Sequence, residues 1–286
     1  MLVQLLTLSL LYLASRIDWI WSLPIGILVS FILLTNYALI HEAAHDNLNQ
    51  STRTNRCLGV LSGFLFPVSF TFLKIAHTVH HNHNRTDNEM FDYYYPNDNL
   101  WVKRAQWYSI LIGIYPPIIP IGSILMGFFP WVYKLSSFAK ARSSAVLFAN
   151  NQFHLQDIRK IRIEVVLAFL YWIILWNVFS LNWIPVIIIY ACFCINWSTR
   201  QYVTHAFTPR HVIEGALNLK VSNIMSWVLL NSEWDQVHHK KPKVSWIDLP
   251  KYAHTTMQPI SYWRQYLRLW KGPRPNKEPA PDPIKI

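Results

Sequence analysis

Long uninterrupted apolar blocks constrain this chain more than anything else in it. Residues 19–40 form a block long enough to cross a bilayer, and apolar stretches recur at 2–14, 57–73, 107–133, 164–180 and 183–197. In lipid no water can satisfy a free backbone N–H or C=O, so a chain built this way folds as helices. Hydrophobic residues make up 52% and charged residues 14%, and the 14 Trp and 14 Tyr are residue types that favour membrane interfaces. These features predict an all-α, polytopic membrane bundle. The net charge of +11 does not indicate nucleic acid, because the lysines and arginines lie between apolar blocks, where they suit anionic membrane lipids and acidic soluble partners.

The blocks predict two transmembrane hairpins. The first, over 1–40, turns at Arg16 and Asp18, and its opening helix reads as a retained membrane helix because the charged start of a signal peptide is missing. The second, over 165–197, turns at Leu181-Asn182, and each arm looks short for a full crossing. The 57–73 block has 17 residues and contains Pro67, so it is expected to enter and leave on one side or lie in the interface. Pro116, Pro117 and Pro120 interrupt 107–133 in the same way. Residues 134–162 are mixed and charged and are expected to form surface helices. With everything outside the hairpins on one side, all of the 26 Lys and Arg residues except Arg16 lie there, which marks that side as cytoplasmic. The chain then reads as one domain over 1–286. Residues 41–164 carry interfacial or re-entrant helices, 198–250 a cytoplasmic cap, and 251–286 a tail that is Pro-rich from 272 to 283. Cys57, Cys192 and Cys194 have no spacing that suggests a disulfide framework or a zinc site, and read as small apolar side chains.

Chemistry concentrates at the inner ends of these blocks. His41 and His45 stand at i,i+4 where the second block ends. His77, His80 and His81 share one helical side in the run IAHTVHHNHN, with His83 beside them. Asp235 precedes His238 and His239 by three and four residues, and a single His205 lies between. Eight histidines and a carboxylate exceed the needs of one tetrahedral zinc. They suit two metal ions with open positions, and a nitrogen-and-oxygen set is compatible with non-haem iron. At the mouth of an apolar bundle such a site points to oxidation of a lipid-like substrate. Asn84, Asp87, Glu89 and Asp92 are candidates to receive ring N–H bonds from the ligating histidines, and Glu42 and Gln201 are further candidates beside them. His154, His211 and His254 are isolated and read as ordinary histidines.

His41-Glu42-Ala43-Ala44-His45 also matches the H-E-x-x-H zinc-protease pattern, with Glu42 as general base. That reading leaves six further histidines unexplained, and no Asp-Gly pair occurs that would mark a third ligand. A metal transporter would need ionisable groups within the spans, which carry almost none.

Over roughly 35–250 the sequence resembles the membrane fatty-acid desaturase superfamily. Its histidine boxes HxxxH, HxxHH and HxxHH correspond to 41–45, 77–81 and 235–239, and its extra histidine before the third box corresponds to His205. The resemblance implies a centre of two non-haem irons that uses dioxygen to attack an unactivated C–H bond of a fatty-acyl or other lipid substrate. It implies that His41, His45, His77, His81 and His238 hold one iron, and that His80, His205, His239 and residue 235 hold the other. Asp235 stands where the family usually has histidine, which leaves hydroxylation or ketone formation on a lipid, hydrocarbon or carotenoid as the alternative to desaturation. The stretch after Pro250 is too short for a fused cytochrome-like domain. A separate electron donor, such as a ferredoxin, is therefore expected.

Overall fold

The computed structural model describes residues 1–135, 153–253 and 259–284. Helix α1, Leu2–Ala14, and helix α2, Ser22–Ala44, form the first hairpin, joined through a single 3-10 turn at Trp19–Trp21 that the Asp18 carboxylate caps. With 13 residues, α1 covers only about 20 Å, short of a full hydrocarbon core. Among the described residues, three helices are long and apolar enough to cross a membrane: Trp19–Ala44, α7 (Leu155–Phe179) and α8 (Trp183–Gln201). Apolar side chains of α7, among them Ile163, Leu167, Leu170 and Ile174, remain exposed on the protein surface. In water they would form an unfavourable patch, and in a bilayer they meet lipid. The chain is a helical membrane protein.

The second hairpin is longer than the apolar pattern suggests. Helix α7 begins nine residues before Glu164, so Asp157, Arg159, Lys160 and Arg162 belong to its first turns and not to a separate surface helix. Charged side chains can reach water from a helix whose backbone continues into the membrane, so their presence does not end it. This arm is then long enough for a full crossing. The remainder of the expected surface helices, 136–152, lies outside the described residues, as does His254.

The two hairpin turns meet at one end of the bundle. Arg16 Nη2 donates to the Phe179 carbonyl at 3.0 Å, and the Asn182 N–H donates to Ser15 Oγ at 3.1 Å. Along their length α2 and α8 pack closely. A Cβ at Gly26 would stand 3.0 Å from Cys192 Sγ and 3.2 Å from Ile189 Cα, so glycine permits the approach. Asn196 Nδ2 donates to Ser30 Oγ across the same interface at 2.8 Å.

Helices α3 (Thr52–Leu65) and α4 (Phe70–His83) are bent by 99° at the corner that contains Pro67, a geometry that fits one broken crossing as well as a segment that enters and leaves on one side. Ser69 caps α4 by accepting from the Phe72 N–H. Pro116 and Pro117 likewise lie between α5 (Leu100–Leu111) and α6 (Ile118–Phe128), and Pro120 falls in the first turn of α6. Beyond α8 the chain forms α9 (Asn223–Val228), α10 (Asp235–Lys240) and α11 (Tyr262–Leu269). Two minimal parallel pairings, Tyr93–Tyr94 with Arg274–Pro275 and Leu219–Lys220 with Ile260–Ser261, tie the later segments to the earlier ones.

Candidate metal centre

The end of the bundle opposite the hairpin turns gathers the histidines. Helix α2 supplies His41 from its last turn and His45 from its C-cap, α4 supplies His77, His80 and His81, and α10 supplies Asp235, His238 and His239. His205 follows α8, and its Nδ1 donates to the Gly215 carbonyl at 3.1 Å, which turns Nε2 toward the other histidines. One ligand atom from each of His41, His45, His77, His81 and His238 lies within 4.8 Å of every other. The same holds for His80, His205 and His239. The two groups adjoin, because the rings of His81 and His239 stack with centroids 4.4 Å apart.

The first group cannot satisfy itself with hydrogen bonds. His45, His77, His81 and His238 present their Nε2 atoms in a chain, with spacings of 2.7, 3.0 and 3.1 Å. A ring nitrogen carries either one N–H or one lone pair. His77 Nε2 and His81 Nε2 each face two neighbours, so at least one approach at each is left unsatisfied. A cation among these nitrogens would satisfy all of them. Burial, and next the neighbouring imidazoles, hold His238 and His239 well below the ordinary histidine value, and His45 is pushed down to about 2 for the same leading reason. Burial also lowers His205, with Asp235 acting against it. The neutral imidazoles that result are the form that binds metal.

The carboxylates differ in which face of the histidines they approach. Asp235 Oδ2 is 3.2 Å from His205 Nε2 and Oδ1 is 3.9 Å from His239 Nε2, but its oxygens do not lie within 4.8 Å of all three histidines of the second group. Glu89 Oε2 is 3.4 Å from His80 Nδ1, on the outer face of that ring. Glu42 is also placed outside: its Oε1 lies 3.8 Å from His41 Nδ1, and its Oε2 accepts from the Trp246 N–H at 3.2 Å. Asn84 Nδ2 donates to the carbonyls of Val212 and Gly215, so it shares Gly215 with His205 instead of receiving a ring N–H. Asp87 pairs with Arg210 at 2.8 Å and accepts from the Tyr95 hydroxyl. Gln201 lines the cavity beside the site.

Asp92 belongs to a buried network that the sequence does not reveal. It pairs with Arg85 through both oxygens, at 2.7 and 3.0 Å, with both side chains fully buried. Arg85 also donates to the Tyr202 hydroxyl, which donates to the Glu89 carbonyl. The network therefore joins the segment after α4 to the segment that carries His205. The local signal is an arginine four residues after a histidine box, and its partner Tyr202, 117 residues on, is too far away in sequence to be read from it.

A cavity of about 220 Å³ opens on the histidines. Its apolar wall includes Leu34, Ala38, Ile110, Ile119 and Trp197, and its polar wall includes His80, Glu89, His205 and Asp235. Since an apolar cavity of about 150 Å³ takes up benzene, this one has room for a short length of alkyl chain beside the site.

No curated protein matches the chain. The family model for fatty acid desaturase matches residues 18–272, a stretch that contains every clustered histidine described above. By that match, and with a histidine cluster able to hold metal at the end of a membrane bundle, the chain belongs to the fatty acid desaturase family.

Proposed function

We propose that the protein is a di-iron lipid oxidase, a fatty-acyl desaturase that takes electrons from a separate soluble donor such as a ferredoxin. The observation that carries this reading is the pair of adjoining histidine groups at the wall of an apolar cavity. His41, His45, His77, His81 and His238 would hold one iron, and His80, His205, His239 and Asp235 the other. Two irons there supply dioxygen-dependent removal of hydrogen from an unactivated C–H bond.

The chain's own residues prepare that chemistry. The Gly215 carbonyl fixes the tautomer of His205 and Glu89 fixes that of His80, so each presents Nε2 inward. Asp235 contributes the negative charge that neutral imidazole lacks. Leu34, Ala38, Ile110 and Trp197 hold the alkyl chain and keep water from it. In this reading the histidine end faces the cytoplasm, with all lysines and arginines except Arg16 on that side, and the basic surface suits an acidic donor.

The test is metal and lipid analysis of protein expressed with iron and purified without oxygen. About two irons per chain and a new double bond in the host's acyl chains are expected. One zinc and no iron would overturn the reading in favour of a protease built on His41, Glu42 and His45. Asp235 in place of the usual histidine favours one second reading, hydroxylation or ketone formation on a lipid, hydrocarbon or carotenoid. A hydroxylated or ketonic product with two irons present would establish it.

A further inference from the structure

We propose that Arg200 and Gln201, at the end of α8, form a subsite for an anionic oxygen group at the polar end of the substrate, a carboxylate or a phosphate. This rests on the lipid-oxidase reading and narrows its substrate class. Both residues line the same cavity as His80, His205 and Asp235.

Arg200 differs from the other arginines that reach into this protein. Arg56, Arg85 and Arg210 each hold a carboxylate at 2.6–2.8 Å. Arg200 has no such partner among the described residues. Its Nη2 meets Met225 Sδ at 3.7 Å, the Tyr262 ring lies 4.6 Å from Cζ, and its buried Nε has no hydrogen-bond partner. The field of Glu233 reaches it; one oxygen of that carboxylate accepts from the Ser226 hydroxyl and the other has no hydrogen-bond partner, yet the two side chains form no ion pair. Next to it, Gln201 Oε1 is buried and also lacks a partner. Burying a guanidinium is costly unless an anion or well-placed acceptors meet it. Tyr262 and Met225 orient the group but offer no negative charge. Arg200 and Gln201 both line a cavity whose opposite wall is aliphatic, an arrangement that suits an amphipathic anion. Guanidinium is suited to carboxylate and phosphate because its donors form a planar fork. Gln201 adds a carbonyl, which a protonated acid or a bridging water can satisfy, and an amide that can donate to the same anion. A pure hydrocarbon would leave the Arg200 guanidinium without an anion.

The experiment uses the iron-loaded full chain in neutral phosphatidylcholine nanodiscs at pH 8. Saturation binding of radiolabelled dodecanoate, dodecyl phosphate and dodecanol is measured, with empty nanodiscs subtracted. At least one anion is expected to bind about tenfold tighter than dodecanol. Preference for dodecanoate identifies a free fatty acid as the source of the group, and preference for dodecyl phosphate identifies a phosphorylated lipid. Arg200→Gln should erase the preference while leaving dodecanol binding within about twofold, Arg200→Lys should retain part of it, and Gln201→Leu should weaken anion binding about threefold. If Arg200→Gln does not fold, Arg200→Lys and Gln201→Leu carry the comparison. Equal binding of all three probes by the unaltered protein, or an undiminished preference in the variants, overturns the proposal. Iron is measured in the same samples. Two irons without anion preference defeats this inference alone, whereas anion preference without iron defeats the metal-site reading alone.

Discussion

Removing the Glu164 carboxylate should loosen the histidine site from a distance. Glu164 lies in α7, 4% exposed, and both of its oxygens are occupied. Oε1 accepts from Arg56 Nη2 at 2.6 Å and Thr71 Oγ1 at 2.8 Å, and Oε2 accepts from Ser69 Oγ at 2.7 Å and the Thr71 N–H at 2.8 Å. Three of these donors lie at the start of α4, whose other end carries His77, His80 and His81. Glu164→Ala would strand these buried donors, at about 1–3 kcal/mol for each that finds no other acceptor. The Arg56 side chain is 44% exposed, so water can rescue it and its pair adds less than about 1 kcal/mol. Partial relaxation reduces the sum, and about 4 kcal/mol is the expected loss. At about 2–4 °C per kcal/mol that is a fall in melting temperature on the order of 10 °C. The assay is thermal melting of the detergent-solubilised protein together with its metal content. Glu164→Gln should fall between the variant and the parent, because it keeps one acceptor oxygen. An unchanged midpoint with full metal content in Glu164→Ala would refute the reasoning.

Three other outcomes are expected. Asp235→Ala should lose about one metal per chain together with activity, and Asp235→His should keep both metals with an altered rate or product; metal analysis beside lipid analysis checks this, and full metal with normal turnover in Asp235→Ala would remove it from the ligand set. His45→Ala should lose metal and activity, whereas Glu42→Gln should keep metal and much of its turnover, because Glu42 sits on the outer side of His41; equal inactivity of the two with metal retained would count against this. Metal-free protein should lose stability as pH falls below about 6.5, since unfolded imidazoles take up protons there while buried His238 and His239, held well below that value, do not; a flat melting temperature between pH 7.5 and 5.5 would contradict it.

The features legible in the sequence are those whose signals are local. His41 with His45, and His77 with His81, stand at i,i+4, so their shared faces follow from helix geometry alone. Pro67, Pro116 and Pro117 mark the broken helices for the same reason: each acts on its own hydrogen-bond ladder. The start of α7 was not legible. Asp157, Arg159, Lys160 and Arg162 look like a surface segment, and only the structure shows that the helix runs through them. Glu164 looks like the edge of an apolar block, since its partners Arg56, Ser69 and Thr71 are more than 90 residues away. Arg85 and Tyr202 are hidden in the same way, being 117 residues apart.

That division has a physical cause. Within a bilayer, lipid tails are as apolar as leucine, so apolar contact alone says little about how one helix is set against the next. Register and depth are left to close packing at small residues and to buried polar links. In this chain, Gly26 lets α8 approach α2, and Asn196 to Ser30 fixes them along their length. Asn36 Nδ2 to the Ser62 carbonyl holds α3 on α2, and the Glu164 carboxylate holds α4 on α7. Arg85 with Asp92 and Tyr202 then sets the His205 segment beside the end of α4. Each link is a single pairing between distant residues, and none leaves a periodic trace in the sequence. The histidine spacings therefore identify which side chains can serve a metal together, while the polar links bring α2, α4 and the His205 segment to the same end of the bundle.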